Sequence, residues 1–469
     1  MISVINELMT IWRPDPALIR RPAYLSLADQ IARAIHEGRL ENGTQLATHR
    51  QLADEMNLSV QTISRAYEEL IRRGLVSGEI GRGTFVQARQ PEPTPPYLPE
   101  RLGDLIDLSI LKPVCEPMHL DKMRAMLGQL AQDLPASAAL SFRPNNIFPR
   151  HRLAAAEWLL GCGLETSPLN ISVTNGATAG MTVALMTAAP QGTTVATEAI
   201  GHHTLVPLAS YLGFHLEGLP IDREGILPQA LDDACTRGNI RAVFVQPSAI
   251  SPTATLMGAA RRAALVEVAR KHDIAIIEND ILGPLVTRSA PPIAALAPER
   301  TFYVTSFTKI TVPGLRIGYL VAPDRFVAAI ANRHLVSNWM ATPLVAEMAT
   351  RWVQDGTAAQ LVEWQRTAIH QRHAIASEVL AQTPFRSQPE SLHVWLDLPE
   401  GQAEESFVAQ ARLQGVAIAP GMSFRVSDAP WTPSVRISLG STSETELRTG
   451  LGIVAKLLMA DPEHLLLAI

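Results

Sequence analysis

Apolar residues recur at helical spacing near the amino terminus, and this pattern predicts two amphipathic helices. Leu27, Ile31 and Ile35 lie four residues apart, which places them on one face of a first helix. Thr48 and Gln51 have the spacing of a capping box, in which each residue bonds the other's backbone N–H. A second, short helix is therefore predicted to begin directly after Thr48.

A third helix and a hairpin are predicted to follow. Ser59 can cap the first turn of that helix. Its inward-facing residues are predicted to be Ile63, Tyr67, Leu70 and Ile71. Two β-prone runs, LVSGEI and GTFVQ, then flank the sequence Gly-Arg-Gly, which is typical of a tight hairpin. This order of elements predicts a winged helix-turn-helix.

A winged helix-turn-helix places its third helix in the major groove of DNA, so outward side chains there are candidate base readers. Four residues meet this description: Ser59, Gln61, Thr62 and Arg65. Arg50 is predicted to lie near a phosphate, and Arg82, next to Gly83, to reach the minor groove from the wing. The alternative is a small helical domain with a solvated charged face.

Short apolar runs alternate with helix-length segments in the remainder of the chain. This alternation predicts an α/β fold with a largely parallel sheet covered on both faces. The predicted strands are 171–174, 193–197, 242–246, 273–278 and 301–305. Because ligands bind beyond the carboxyl ends of such strands, the residues that follow each run are candidate site residues.

A proline-rich stretch separates these two patterns. Its five prolines favour extended polyproline II structure, so it is predicted to be a semi-rigid linker. The predicted domains are residues 1–88 for DNA binding, residues 89–105 for the linker and residues 106–469 for the α/β part. The alternative is a long loop within one domain.

Charge and composition sharpen this division. Residues 1–89 hold 11 arginines, no lysine and 10 acidic residues, a net charge of +1, which leaves −6 for the rest of a chain that totals −5. The three cysteines have no C-x-x-C spacing, which excludes a zinc ribbon and fits a reducing cytoplasm. No apolar run approaches the roughly 18 residues of a membrane span. We therefore expect a cytoplasmic protein with no membrane association and no metal.

Two strand ends carry a candidate anion site. After the run at 171–174, Gly176, Ala177 and Thr178 open a predicted helix, whose N-terminus can seat a phosphate. After the run at 301–305, two hydroxyls and two cations occur together: Ser306, Thr308, Lys309 and Arg316. A lysine directly past a buried strand can lose its proton and attack carbonyl carbons. The alternative for residues 176–178 is an ordinary strand–helix turn, and the alternative for an isolated lysine is a solvated surface charge.

Asn279 and Asp280 follow the run at 273–278. A carboxylate there could pair with a pyridinium nitrogen, which makes the ring an electron sink. The alternative is an ordinary turn. Whether Asn279 or Asp280 has the role is ambiguous by one residue, and the chemistry favours Asp280.

The first domain resembles the DNA-binding domain of the GntR family of bacterial transcription regulators. The motifs that carry the resemblance are THRQLA, TISRAY, RRGLV and GRGTFV. Val60 departs from the pattern, because many relatives have a basic residue there.

The larger part resembles the fold-type I, aspartate-aminotransferase-like family from about residue 140 to at least residue 436. Its motif is S-x-[ST]-K-x-x-x-P-G-L-R, at residues 306–316. The resemblance implies pyridoxal 5′-phosphate (PLP) as cofactor, held by Lys309 as an internal aldimine. It also implies that the segments at 176–178 and 306–316 hold the phosphate, that His202 stacks on the pyridine and that Arg436 binds a substrate carboxylate. The serious alternative for Arg436 is that it is an ordinary charged residue on a strand, with no ligand.

Several positions depart from that family. Ser251 replaces the asparagine that contacts the PLP hydroxyl, and Ile281 or Leu282 replaces a tyrosine. Phe142 stands where a tyrosine of the partner subunit often reaches the phosphate. The lysine and the phosphate cradle persist, so this pattern fits a site that binds PLP but turns over poorly.

The domain order resembles that of the MocR subfamily of transcription regulators. The resemblance implies a PLP-dependent regulator, acting as a head-to-tail homodimer on double-stranded operator DNA. A primary-amine, amino-acid-like effector would be sensed through aldimine exchange at Lys309. The alternatives are an active aminotransferase with an accessory DNA-binding domain, and a DNA-binding protein whose large domain only mediates dimerisation.

Overall fold

The computed structural model describes residues 12–36, 39–41, 43–72, 75–79, 83–86, 105–140, 142, 148–249, 251–287, 290–426 and 431–460. The chain divides into two compact units, Met1–Leu98 and Pro99–Ile469. Apart from Leu105, the predicted linker lies outside the described residues.

The smaller unit has the predicted order of helices and hairpin. Its elements are α1 (Ala23–His36), α2 (His49–Met56), α3 (Val60–Arg72), β1 (Val76–Glu79) and β2 (Gly83–Val86), with β1 and β2 antiparallel. The predicted capping box is confirmed, because the Gln51 N–H donates to Thr48 Oγ1 at 3.3 Å and the Thr48 N–H donates to Gln51 Oε1 at 3.1 Å. The predicted cap of α3 is also confirmed, because the Thr62 N–H donates to Ser59 Oγ at 3.1 Å.

One apolar core joins the three helices and the hairpin. The apolar stripe of α3 is buried, with Ile63 and Leu70 both 0% exposed. Ile71 was predicted to face inward, and this was wrong, because 48% of it is exposed. One residue turns a helix by about 100°, so the neighbour of a core residue can leave the apolar face.

The larger unit consists of helices packed around strands. Its helices are α4 (Pro117–Asp133), α5 (Ala136–Leu140), α6 (Pro149–Gly161), α7 (Gly176–Ala188), α8 (Leu205–Leu212), α9 (Pro228–Arg237), α10 (Ala259–Lys271), α11 (Ile293–Leu296), α12 (Val327–Asn338), α13 (Pro343–Gln354), α14 (Thr357–Val379), α15 (Glu404–Leu413) and α16 (Glu444–Met459). Its strands are β3 (Ile106–Asp107), β4 (Ile171–Thr174), β5 (Thr194–Glu198), β6 (His215–Leu219), β7 (Ile221–Asp222), β8 (Gly225–Ile226), β9 (Ile240–Val245), β10 (Ala275–Asn279), β11 (Thr301–Ser306), β12 (Gly318–Val321), β13 (His393–Asp397), β14 (Val416–Ala417), β15 (Ala419–Pro420) and β16 (Ser434–Ser438).

Seven strands of the described chain form the main sheet, in the order β4-β12-β11-β10-β9-β5-β6. All neighbours pair in parallel except β12, which is antiparallel to both β4 and β11. Apolar cores lie on both faces of this sheet, so the predicted largely parallel, doubly covered sheet is confirmed.

A smaller antiparallel sheet, ordered β13-β16-β15, forms the second lobe of this unit together with β3, β14, α15 and α16. Within the described residues, no helix is both long and apolar enough to cross a bilayer. The same residues contain no cluster of three or more His, Cys, Asp or Glu side chains suited to a metal ion.

Candidate functional site

One edge of the main sheet collects most of the site residues predicted in the larger unit. Because β4, β9, β10 and β11 run in the same direction, their carboxyl ends lie at the same edge. Residues 176–178 follow β4, Asp280 follows β10, and Lys309 follows β11 within a 3-10 turn, Phe307–Lys309.

Lys309 is partly buried beside two arginines. Burial, followed by the positive charges of Arg436 and Arg316, lowers its pKa from 10.5 to about 8. Its ammonium donates a hydrogen bond to the backbone carbonyl of Leu111. A lysine with so low a pKa has a sizeable neutral fraction near neutral pH, which is what a nucleophile toward a carbonyl carbon requires.

The start of α7 forms an anion cradle with Thr308 and Arg316. Asn175, which precedes the helix, does not cap it and instead bonds to residues 340 and 342. Gly176 has a φ of +79°, and a Cβ on it would lie 3.3 Å from the Arg316 guanidinium and 3.7 Å from Thr308 Oγ1. Uncapped N–H groups, a hydroxyl and an exposed guanidinium converge here, as a phosphate dianion requires.

Two further residues shape this cradle. Ser306 is 1% exposed; its hydroxyl accepts from the Thr308 N–H at 3.1 Å and lies 2.8 Å from the Ile317 carbonyl oxygen. It thus holds the turn that presents Thr308 and Lys309. Gly318 was not predicted, yet a Cβ on it would lie 3.0 Å from the Ala177 backbone nitrogen. Only glycine lets β12 approach the start of α7 so closely.

Arg436 and Ser251 lie together. Arg436 is 5% exposed on β16, and its guanidinium donates to Ser251 Oγ at 3.2 Å and to the Ser109 carbonyl at 2.6 Å. Its guanidinium carbon also lies 4.7 Å from the centre of the Phe424 ring. Ser251, predicted to replace a cofactor-contacting asparagine, is in this structure a partner of the arginine.

The main chain at residues 105–112, which we call the latch segment, covers both cations. The Ser109 carbonyl accepts from Arg436, and the Leu111 carbonyl accepts from Lys309. The segment is fixed to the second lobe, because the Leu108 N–H donates to the Ala417 carbonyl at 2.8 Å. These contacts could not be predicted from the sequence, because backbone carbonyls carry no residue signature and their partners are distant in the chain.

His202 is half-buried at the same edge. Burial, with smaller effects from Lys309 and Arg436, lowers its pKa from 6.5 to about 4, so its ring is neutral at pH 7. It stacks on His203, with ring centres 4.8 Å apart and an interplanar angle of 16°. The His203 ring in turn contacts Phe424 edge-on at 5.9 Å. His203 was not predicted, although it is adjacent to a predicted residue.

Asn279 and Asp280 leave β10 on opposite sides of the sheet. Asp280 is fully buried, and its Oδ2 accepts a hydrogen bond from the Tyr303 hydroxyl at 2.9 Å. Asn279 is 2% exposed, and among the described residues neither its Oδ1 nor its Nδ2 has a hydrogen-bond partner. A buried amide with no partner is costly, so Asn279 is a place where a ligand would supply the missing bond.

The outward face of α3 carries the predicted DNA-reading residues. Ser59, Gln61 and Arg65 are exposed, and Thr62 is half-buried. The Ser59 and Thr62 hydroxyl oxygens lie 2.8 Å apart, so capping already engages both. The Arg65 guanidinium carbon lies 4.2 Å from the centre of the Tyr24 ring, a cation–π contact that orients this side chain.

The remaining DNA-contact predictions concern α2 and the wing. Arg50 is exposed in the first turn of α2. Arg82 lies outside the described residues. Gly83 begins β2 with a φ of +123°, and a Cβ on it would lie 2.6 Å from Gln45 Nε2. Packing against Gln45 therefore explains this glycine without DNA.

Comparison with known families decides the class of the larger unit. Residues 124–453 match the model for aminotransferase class I and II. The chain belongs to this family. Residues 23–86 match the model for bacterial regulatory proteins of the gntR family, so the domain order is that of the MocR-type regulators. The family cofactor is PLP, and the anion cradle, Lys309 and the unpartnered Asn279 amide fit its phosphate, carbonyl and ring.

Individual relatives agree with this assignment. The chain is 26% identical to the HTH-type transcriptional regulator YdeF of Bacillus subtilis, over 95% of this chain and 96% of YdeF. It is also 26% identical to the HTH-type pyridoxine biosynthesis transcriptional regulator PdxR of Corynebacterium glutamicum, over 76% of this chain and 79% of PdxR. Among solved structures, a Pyrococcus horikoshii kynurenine aminotransferase superposes with a TM-score of 0.70 at 20% identity, over 76% of this chain and 91% of its own.

Proposed function

We propose that this MocR-type protein is a cytoplasmic transcription regulator that senses an amino-acid-like amine in its PLP-binding domain and reports it to its DNA-binding domain. Bound PLP supplies an electrophilic carbon with which a primary amine condenses. The rest of the proposal concerns the residues of this chain and what they do when such an amine arrives.

The observation that carries the proposal is the latch segment. Lys309 and Arg436, the two cations expected to meet the cofactor and the effector, both donate to carbonyls of residues 105–112. A carboxylate that binds Arg436 competes with the Ser109 carbonyl for the guanidinium. An amine that displaces Lys309 from the cofactor frees the lysine amino group, which can then donate to the Leu111 carbonyl as it does in this structure.

In chain order, residues 87–104 connect the DNA-binding domain to the larger unit. The latch segment follows them directly and is the first described part of that unit. An occupant of the site therefore changes the hydrogen bonds of the chain where it enters this unit. A ligand shifts an equilibrium only through contacts that differ between two states, and the two carbonyl bonds are such contacts.

The effector class follows from the same two residues. Lys309 chemistry selects a primary amine, and Arg436, nearly buried and fixed by Ser251, suits a carboxylate. The residues expected to hold the cofactor are 176–178, 306, 308, 309 and 316, with His202 beside its ring. An amino acid or a related amine that carries an acid group is the ligand that this arrangement fits.

Exposed apolar residues support the expected head-to-tail homodimer. Leu140, Phe142 and Val336 are 84%, 77% and 86% exposed, and the Phe142 ring lies 5.0 Å from that of Trp339. Exposed apolar side chains in such number are a feature of subunit interfaces. Val336→Glu should convert the dimer to monomer in sedimentation equilibrium, and unchanged mass would argue against this face. Two DNA-binding domains would then read paired half-sites.

The test uses the full-length, PLP-loaded protein and DNA from the region upstream of its own gene. A panel of proteinogenic amino acids, β-alanine and γ-aminobutyrate is screened for changes in the visible absorbance of the cofactor and in DNA affinity.

Lys309→Ala should abolish both responses and still bind DNA. The matched control is Lys271→Ala, because Lys271 is an exposed lysine paired with Asp232. DNA affinity that responds equally in Lys309→Ala would contradict the proposal, and repeated turnover with a keto acid would favour an aminotransferase.

A further inference from the structure

Asn279 stands out at this edge of the sheet. Among the described residues here, it is the one whose side-chain oxygen and nitrogen both lack a hydrogen-bond partner. It ends β10 and is 2% exposed. Its neighbour Asp280 accepts a hydrogen bond from the Tyr303 hydroxyl. The Asn279 amide therefore has both polar atoms available to a ligand, whereas Oδ2 of Asp280 is already engaged by Tyr303.

The direction of each side chain follows from the alternation of β10. Ala275 and Ile277 pack in the core beneath α7, together with Phe244, so Asn279 points to the same face of the sheet. The His202 ring lies 6.1 Å from that of Phe244, on this face as well. Asn279 thus shares a face with His202 and with α7, whose start forms the phosphate cradle.

Asp280 belongs to the opposite face. Its partner Tyr303 packs in a different core, with Phe307 and Tyr319. The acidic residue that precedes both, Glu278, also points away, because its carboxylate accepts the N–H groups of Ile293 and Ala294 at 2.9 and 2.8 Å. Among the described residues at the end of β10, no carboxylate shares the face of His202.

We propose that Asn279 faces the nitrogen of the PLP ring and donates its amide N–H to an unprotonated ring nitrogen. A carboxylate at this position would stabilise a protonated ring and make it an electron sink. A neutral amide cannot balance that charge, but its NH₂ group complements the nitrogen lone pair. Asn279 is then a positioning residue. It orients the cofactor ring but leaves that ring a weaker electron sink than a carboxylate would.

This inference deepens the proposed function and rests on it only for the bound cofactor. An amine on such a cofactor loses its Cα proton slowly, because little of the resulting charge is delocalised into the ring. The amine therefore stays in the site and does not turn over. A sensor needs residence of its ligand, whereas an enzyme needs conversion.

The direct test is ¹⁵N NMR of ring-¹⁵N-labelled PLP bound to the full-length protein. We expect the nitrogen to resonate in the unprotonated range, and a resonance in the protonated range would overturn the proposal without any variant. This measurement does not depend on DNA or on an effector. A failed DNA response would therefore leave this inference standing, and a protonated ring would leave sensing standing.

Two variants sharpen the test. Asn279→Asp should move the resonance upfield toward the protonated range, and should raise the single-turnover rate with L-alanine about tenfold or more, a change equivalent to about 1.4 kcal/mol. Asp280→Asn, the matched control, should leave the resonance near that of the unsubstituted protein. A shift in Asp280→Asn with none in Asn279→Asp would assign the role to Asp280 and refute ours.

Discussion

The two units present their chemistry in opposite ways. In the smaller unit, the side chains predicted to meet DNA lie on the exposed face of α3, while the opposite face of that helix forms the core. In the larger unit, the candidate reactive groups are withdrawn from solvent, with Lys309 partly buried and Arg436 buried, and main-chain carbonyls of a distant segment accept their hydrogen bonds. An exposed DNA-contact face can be predicted from local sequence. A buried site cannot, because it depends on contacts between residues far apart in the chain.

The largest effect should separate the two faces of α3. Ile63→Ala removes a fully buried side chain from the core of the smaller unit and should cost about 2–5 kcal/mol of stability. Ile71→Ala is the same substitution at a residue that is 48% exposed, and should change stability by no more than about 0.5 kcal/mol. Chemical denaturation measures both, and equal losses would mean that Ile71 is buried after all.

The next effect tests the prediction that α3 reads DNA. Gln61→Ala should cost about 1–3 kcal/mol of discrimination between operator and mismatched DNA, because a base-edge contact is lost. Arg50→Ala should instead weaken binding to all sequences and lower the salt slope by about 1. Titrations at several salt concentrations separate the two. The same loss on every sequence for Gln61→Ala would remove it from the base readers.

A matched pair of glycines tests the anion cradle. Gly176 and Gly356 have φ values of +79° and +80°, so alanine at either should cost about 1–2 kcal/mol of stability. Only at Gly176 would the added methyl group meet the Arg316 guanidinium, since nothing lies within 4 Å at Gly356. Gly176→Ala should therefore also weaken PLP binding, measured by equilibrium titration, and Gly356→Ala should not. Equal PLP affinity in both variants would place the phosphate elsewhere.

The smallest effect is a shift in pH dependence. Burial and two nearby arginines lower the pKa of Lys309 to about 8, so its neutral, reactive form appears as the pH rises through 8, well below the usual 10.5. The rate at which PLP-free protein binds PLP should rise with the same midpoint. Arg436→Met removes one cation, and should move the midpoint upward by up to about one pH unit. A midpoint near 10 in the unsubstituted protein would contradict the desolvated lysine.

The sequence predicted local features well. The Thr48–Gln51 capping box and the strand that precedes Lys309 follow from neighbours in the chain, and the structure contains both. Ile71 was wrong because a single step around a helix decides burial. For Asn279 and Asp280, chemistry favoured the carboxylate, whereas the side of the sheet on which each lies depends on packing. The carbonyls that hold Lys309 and Arg436 were beyond prediction, because they come from residues that only the fold brings near.

If Arg436 binds the proposed effector, the carbonyl bonds of the latch segment also affect the concentration at which the protein responds. A ligand that binds Arg436 must first replace the Ser109 carbonyl, and a hydrogen bond to a charged group contributes about 1.5–3 kcal/mol. That cost weakens the apparent affinity by roughly ten- to 150-fold relative to a site with no such competitor. The ligand concentration needed for a response would therefore be higher, as suits an abundant metabolite. Because the competitor is backbone and not a side chain, substitutions at Ser109 cannot remove it, and the threshold resists mutation at that position.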